Sequence, residues 1–568
     1  MIKTGQAPKR RALLLYVILL GFSVAICRLV YVQVVQHDHY DQLAQKQSHR
    51  TVPLPAKRGR VIDRHGRVLA ESYLSRSLWA DPGLITFNQD MELGIERLAE
   101  ELKMPEAELL KKIASKRRFV WIKRRLDSEA VERIHPIVER LQGVYFREEW
   151  SRSYTMGSML SPVLGLVGSE HQGLTGLEQR YEKALTGKDG QLEQAHDRKG
   201  RVLRERVVKQ PAQGNDLQLA LDMSLQTILF QELLQGFHHC KAKVASGLVM
   251  DARTGELLAM ATLPAHEPGQ TIQRSLLGLQ PRMFTDTFEP GSTMKPLVYA
   301  AALEQGVTTS KEIVHCGHGK KRFGKRILND VHGYGELSME EIIVKSSNIG
   351  AAEMGIRLGN SRLHQSLSQL GFGKINHLPM PGEPRGQLRP VSEWNLYSTT
   401  SIPMGHEISV NMVQMVKAYA AIANGGTLLQ PCLEKRILRA DGSLVRERKG
   451  INQGRIFRPK TCLTVQRALG QVVQRGTAKR AQSKLYSIGG KTGTTEKIVN
   501  GKYVKDKNIG SFIGMAPLEN PRLVVMIMMD EPEGVSYGGV VAAPVARKVI
   551  ENGLQYLQVK PRQNREQL

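Results

Sequence analysis

Glu289-Pro290-Gly291-Ser292-Thr293-Met294-Lys295-Pro296 is the stretch on which the reading of this chain turns. A Pro-Gly turn runs into a helix start, with a serine three residues before a lysine. Positions i and i+3 share one helical face, so the spacing predicts that the Ser292 hydroxyl has the Lys295 amine within hydrogen-bond reach. Burial and neighbouring positive charge would lower that lysine's pKa, and its neutral form could then take the serine proton. The helix N-terminus adds partial positive charge beside the reacting centre. SxxK alone arises by chance in many chains, so its weight depends on the company it keeps downstream.

Two further elements come in order. Ser346-Ser347-Asn348 begins 54 residues after Ser292. Its first serine can relay a proton, and its asparagine can hold an amide carbonyl. Gly489-Gly490-Lys491-Thr492-Gly493-Thr494-Thr495 supplies a second cation and two hydroxyl-bearing residues, Thr492 and Thr494, that can hold a ligand. Gly493 would let a strand edge approach a ligand backbone closely. A phosphate-binding loop is the rival reading of Gly490-Lys491-Thr492. That motif needs glycine at 485, where this chain has Leu485.

Around these elements, residues 211–568 alternate strand and helix patterns. Ala245–Met250 and Glu256–Ala261 predict a hairpin about Thr254-Gly255. Ser511–Ala516 and Arg522–Met529 predict two more strands. Helical patterns surround 223–236, 294–305, 338–356 and 410–424. The region reads as one α/β (α+β) domain. Residues 36–210 form a second exterior region, with helical patterns near 91–118 and 127–141. Its basic patches, Lys111-Lys112 and the triplets Lys116-Arg117-Arg118 and Lys123-Arg124-Arg125, read as a solvated helix face.

The N-terminus sets the compartment. Residues 12–35 are apolar apart from Gly21, Ser23, Arg28 and Gln33. At about 1.5 Å per residue they reach roughly 36 Å, enough to cross hydrocarbon. Lys3, Lys9, Arg10 and Arg11 precede the run, so the positive-inside rule puts 1–11 in the cytoplasm and the rest outside. A cleaved signal peptide is the rival, but no small-x-small site comes after the run. A lipoprotein site at Cys27 would need a small residue where Ile26 stands.

The chain has 568 residues and a formal net charge of +26, which invites nucleic acid, anionic membrane or an acidic polymer. The topology sets nucleic acid aside. Five cysteines do not make a disulfide scaffold. His238-His239-Cys240 and His315-Cys316-Gly317-His318 lack repeated metal-ligand spacing and read as loop or core residues, so no metal is expected.

The order SxxK, SxN, KTG resembles the penicillin-binding proteins. The chain is most similar to a class B, monofunctional peptidoglycan D,D-transpeptidase of the septal type. Arg58-Gly59-Arg60-Val61-Ile62-Asp63-Arg64 through Ala70 resembles the family's first N-terminal motif. Gly173-Leu174-Thr175-Gly176-Leu177-Glu178 resembles a later one, and Tyr537-Gly538-Gly539 resembles the end of its catalytic domain. The family implies a cytoplasmic tail (1–11), an anchor (12–35), an elongated pedestal of the dimerisation type (36–210) and a transpeptidase domain (211–568) built on a five-stranded antiparallel sheet flanked by helices. It implies catalytic roles for Ser292, Lys295, Ser346, Asn348 and Lys491. Substrate contacts fall to Ser347, Thr492, Gly493 and Thr494, and no cofactor is needed. Arg58, Asp63 and Arg64 read as a salt-bridged hinge. Implied partners are stem peptides, lipid-linked precursor, β-lactams, a polytopic glycan polymerase and division proteins, at a bacterial inner membrane. An elongation enzyme, a β-lactamase or penicillin sensor, and an inert division scaffold are the alternatives. Met404-Gly405-His406-Glu407-Ile408-Ser409 and Asn411 depart from the family's commoner residues.

Overall fold

The computed structural model describes residues 7–197, 202–266, 280–448, 450–499 and 501–562. Lys3, one of the N-terminal basic residues, lies outside them. The N-terminal helix Ala7–Val30 continues through a π-turn, Tyr31–Val35. Lys9–Val35 is long and apolar enough to cross a membrane, and the structure buries none of its most apolar window. Arg28 does not interrupt it: its guanidinium lies over the Tyr31 ring at 5.5 Å.

The chain divides into two compact units, Met1–Lys57 with Gly187–Gln213, and Arg58–Thr186 with Gly214–Leu568. The first contains the apolar helix, the helix His37–Ser48 and a three-stranded antiparallel sheet. Gly190–His196 is the sheet's middle strand, between His49–Leu54 and Val202–Lys209.

The second unit holds everything that positions the site. Its N-terminal part is built on a long strand, β1 (Val68–Ala80). Helices α1 (Gln89–Glu101) and α2 (Glu106–Ile113) come next, then strand β2 (Val120–Leu126), helix α3 (Ser128–Val138) and strand β3 (Val144–Tyr154). β3 pairs with one edge of β1 and β2 with the other, both antiparallel. The three helices bury Ile95, Leu98, Leu109 and Ile134 with Leu78 and Ile122 of the sheet. Sequence patterning suggested one helical stretch over 91–118. Pro105 breaks it, because proline disfavours helical backbone at the preceding residue. Lys111-Lys112 lies on α2 as expected, but the two basic triplets are not a helix face. Lys116-Arg117-Arg118 lies past the end of α2, and Lys123-Arg124-Arg125 lies on β2.

The short strand Val61–Ile62 joins this part to the rest. It pairs antiparallel with β1 and parallel with Asp216–Leu219, so one seven-stranded sheet runs through both. Charge pairs reinforce the junction. Arg58 Nε donates to Glu178 Oε2 at 2.7 Å, and Arg152 reaches Glu178 Oε1 at 2.8 Å, all three side chains being at most 2% exposed. Arg67 bridges Asp63 at 2.7 Å and Asp222 at 2.9 Å, and Arg64 reaches Glu256 at 3.1 Å. These contacts are structural. Glu178→Gln would strip the counter-charge from buried Arg152 and leave Arg58 with Glu182 alone, at 2.8 Å, and removing one partner of a buried pair costs about 3–5 kcal/mol. Urea unfolding should show a loss of that order; a change below about 1 kcal/mol would mean that Arg58 and Arg152 have relaxed onto other partners.

The catalytic part opens with helix α4 (Met223–Cys240) and the predicted hairpin, β4 (Val244–Asp251) and β5 (Leu257–Leu263). Helices α5 (Lys295–Glu304), α6 (Met339–Lys345), α7 (Asn348–Gln369), α8 (Met412–Ala423) and α9 (Pro459–Arg475) come after it. The chain closes with strands β6 (Gly489–Val499), β7 (Lys502–Ala516) and β8 (Leu523–Asp530) and helix α10 (Ala543–Tyr556). The five strands form one antiparallel sheet in the order β5-β4-β8-β7-β6. β4, β5 and β8 are buried at every residue, so both faces are covered. α4 and α10 pack together on the sheet, as do α8 and α9. β6 is left as an edge strand, with one side open to the site.

Candidate active site

The nucleophile turn Gly291–Met294 is a 3₁₀ turn that runs straight into α5, with Pro296 in the helix's first turn. Three residues per turn place Ser292 over Lys295. Tyr419 of α8 donates to the Thr293 carbonyl at 2.7 Å and fixes the turn from beneath. Ser292 is half-buried, whereas Lys295 is 1% exposed. The Lys295 amine donates to Ser346 O at 2.7 Å, Asn348 Oδ1 at 2.8 Å and Ser346 Oγ at 3.3 Å. The direct Ser292–Lys295 hydrogen bond expected from the spacing is not among these. Ser292 is reached instead through Ser346, whose hydroxyl donates to Ser292 Oγ at 3.1 Å.

The second element sits where α6 meets α7. Ser346 caps α6 in the left-handed region, φ 61° and ψ 38°, which a non-glycine residue rarely occupies. This backbone turn aims its hydroxyl at both lysines. Ser347, expected to touch substrate, does not fit that role. It is fully buried, accepts from Gly350 N at 2.9 Å as the N-cap of α7, and donates to Asp330 Oδ2 at 2.6 Å. Asn348 is placed at the site, but both ends of its amide are engaged: Oδ1 by Lys295, and Nδ2 by the Asn329 carbonyl at 3.1 Å.

Asp330 escaped the sequence reading. Its Oδ1 accepts from the backbone of Asn348 at 2.5 Å and Ile349 at 3.1 Å, so one carboxylate holds the whole Ser347-Asn348 turn. Burial takes the Lys295 amine down to about 7, and the Asp330 charge opposes part of that fall.

Lys491 lies on β6 with 0% exposure, and its amine donates to Ser346 Oγ at 3.0 Å. Burial, and then the Lys295 charge, push it well below the usual lysine range. Two buried ammonium groups sharing one hydroxyl cannot both stay charged cheaply. The pair is thus poised to hold a neutral amine at neutral pH. Thr492 Oγ1 meets Thr477 Oγ1 at 2.8 Å, which brings a second unforeseen hydroxyl to this edge. Thr494 is exposed, and its Oγ1 accepts from Gly538 N at 3.3 Å. Gly493 is also needed for packing within the chain. A Cβ there would fall 3.2 Å from Pro290 O and 2.5 Å from Ser511 Oγ, so glycine lets β6 close on the nucleophile turn.

The residues that depart from the family pattern line the same site. Gly405, at φ +83°, packs so closely that a Cβ would meet the Gly291 nitrogen at 2.3 Å. Glu289 accepts from His406 Nδ1 at 2.8 Å, from Glu407 N at 2.9 Å and from Tyr503 OH at 2.9 Å. Burial pushes the Glu289 carboxyl up, but these partners outweigh it and hold it below the usual carboxylate range. Glu289 thereby ties the nucleophile turn to the 405–407 segment and to β7. Glu407 is bound in turn by Arg389 and by Ser398 Oγ at 2.7 Å. Asn411 caps α8 in a box with Gln414.

The fold and this constellation define a serine acyl-transfer protein. The penicillin binding protein transpeptidase domain matches residues 245–551 and the penicillin-binding protein dimerisation domain matches 53–219. The chain belongs to the penicillin-binding proteins, in the class B group of monofunctional D,D-transpeptidases. It is 34% identical over 558 residues to the probable peptidoglycan D,D-transpeptidase PenA of Neisseria meningitidis, covering 97% of this chain and 93% of that one. It is 30% identical over 574 residues to the peptidoglycan D,D-transpeptidase FtsI of Escherichia coli, covering 98% and 95%. Penicillin binding protein 3 of Mycobacterium tuberculosis, solved in complex with aztreonam, superposes with a TM-score of 0.71 at 26% identity, over 90% of this chain and 98% of that one.

Proposed function

We propose that this protein is a peptidoglycan D,D-transpeptidase that crosslinks stem peptides during septal wall synthesis. One observation carries the mechanism: Ser346 Oγ takes hydrogen bonds from both buried lysines and gives one to Ser292 Oγ. Ser292 attacks the carbonyl of the penultimate D-Ala. A C–O ester bond forms, the C–N bond to the terminal D-Ala breaks, and D-Ala leaves as an amine. Lys295 in its neutral form receives the serine proton, directly or across Ser346. Ser346 and Lys491 deliver a proton to the leaving nitrogen. The backbone N–H groups of Ser292 and Thr494 hold the oxyanion, by family analogy. An amino group of a neighbouring stem then attacks the ester, makes the new amide and returns the proton to Ser292. Thr492, now paired with Thr477, and Thr494 hold the substrate carboxylate. Asn348 exchanges one of its present partners for the peptide amide. β-Lactams imitate the D-Ala-D-Ala end and acylate Ser292. Slow release of that adduct is expected, since the nearby Glu407 is held by Arg389 and Ser398.

The same reading keeps 36–210 as the pedestal and 211–568 as the transpeptidase domain, which the two family matches support. Lys9, Arg10 and Arg11 hold the N-terminus inside, the catalytic part lies outside the inner membrane, and a glycan polymerase and division proteins meet the protein there. The test is a crosslinking assay with lipid-linked pentapeptide precursor and an active polymerase. One D-Ala should be released per crosslink formed. Rapid, repeated β-lactam hydrolysis without crosslinks would make the protein a hydrolase instead. A fluorescent fusion should concentrate at midcell; an even sidewall signal would transfer it to elongation.

A further inference from the structure

The basic triplets before and on β2 have no part in the acyl-transfer chemistry, yet they border an unusual surface. β1, β2 and β3 bury one face under α1, α2 and α3; on the other, Ser75 and Ser77 are buried, and the end that carries Trp79 and Tyr145 is partly exposed. At that end, Trp79 of β1 stands opposite Tyr145 of β3 and opposite Trp121 of β2. The Trp79 ring stacks on Phe119 at 4.8 Å and lies 5.2 Å from Tyr145, and Phe119 meets Trp121 edge-on at 4.9 Å. Phe119 and Tyr145 remain 38% and 37% exposed. Arg124 lies over Trp121 at 4.7 Å but is ion-paired with Glu149 and Glu170, whereas Arg147 lies 5.9 Å from both Phe119 and Trp121. Among the described residues Arg147 has no carboxylate partner. Segment 114–126 carries six basic residues and no acidic one, and although Arg118 pairs with Asp81 and Arg124 with Glu149 and Glu170, the surroundings of the rings stay basic.

Four rings fixed side by side on a sheet are a costly thing to leave in water, and such patches mark binding surfaces. Flat aromatic faces suit the apolar faces of pyranose rings. The Arg147 guanidinium beside those rings suits a carboxylate set along the same ligand. A glycan whose sugars bear carboxylate-ended peptides combines the two chemistries. An anionic bilayer would match the charge alone, and nothing in it repeats at the spacing of the rings.

We propose that this face is a stacking platform for peptidoglycan glycan strands, holding the polymer apart from the reacting stem peptides. The proposal rests on the transpeptidase reading, which supplies the polymer.

The full-length protein in neutral detergent should cosediment with purified peptidoglycan sacculi. Phe119→Ala with Arg147→Glu alters only exposed or partly exposed side chains. It should lower retention about tenfold while penicillin acylates Ser292 at the wild-type rate. Two of the four tryptophans lie on the platform, so soluble glycan strands should shift the wild-type fluorescence and leave that of the double variant unmoved. Unchanged retention in the variant overturns the platform and leaves the catalytic reading standing. A fluorescence shift with monomeric short-chain phosphatidylglycerol but not with glycan overturns it in favour of the membrane. Failure of penicillin to acylate even the wild type sinks the catalytic reading instead, whatever the sacculi retain.

Discussion

Ser292→Ala is expected to yield a folded protein that labelled penicillin does not mark. The nucleophile is the atom that forms the ester, so no neighbour makes up for it. Loss of such a group costs on the order of 10⁶ in rate in a serine hydrolase. The fold should barely notice the change. Ser292 is half-buried, and its hydroxyl accepts one side-chain hydrogen bond, from Ser346. A bond of that kind contributes about 1 kcal/mol. Ser346 is the one competitor that needs to be separated, because its hydroxyl lies between the same two amines. It sits in a left-handed cap between two helices, whereas Ser292 lies at the positive end of α5. Peptide mapping after labelling decides between them. An adduct on Ser346 in the Ser292→Ala protein, formed at the wild-type rate, would move the nucleophile there.

Much of the site is legible in sequence because each of its parts is local. SxxK is one helical turn, Ser346-Ser347-Asn348 is one helix junction, and Lys491-Thr492-Gly493 is one strand edge. Each motif carries its own geometry, and the fold has only to bring three short pieces together. The predicted hairpin and the strands of the core sheet are legible for the same reason, as short apolar runs bounded by turn residues. The residues that sequence did not reveal act across long separations. Asp330 reaches the Ser347 turn from a loop, Thr477 meets Thr492 from beyond α9, and His406 and Tyr503 converge on Glu289 from two other elements. A lone aspartate before a helix has no local signature of such a task. A proton relay by Ser346 was legible, but that Lys295 reaches Ser292 through it and not directly was hidden, because i,i+3 spacing fixes a shared face but not where a flexible amine ends. The basic triplets misled for another reason. Charge clusters have no period of their own, so nothing in them distinguishes a strand from a helix.

The pH dependence of acylation tests the other half of the chemistry. Lys295 is taken down to about 7, chiefly by burial, with the Asp330 charge working against the fall. Below that pH the amine keeps its proton and cannot accept another; above it, the amine is free. The acylation rate of the wild type should therefore rise with pH through a midpoint near 7. Lys295→Met keeps an apolar stem of similar reach and removes the base. It should lose about 10²–10⁴-fold in acylation, the usual worth of a general base, together with the acid limb itself. Asp330→Asn separates field from scaffold. The amide oxygen can still accept from Asn348 N and Ile349 N, but the negative charge is gone. A charge that raises the Lys295 pKa has been removed, so the limb should move to lower pH, the direction opposite to a loss of burial. Stopped-flow acylation by a chromogenic cephalosporin between pH 5 and 9 gives all three profiles. A limb that persists unchanged in Lys295→Met would assign the titration to Lys491. A limb that stays in place in Asp330→Asn would mean that solvent screens the carboxylate from the amine, and that Asp330 serves only to hold the turn.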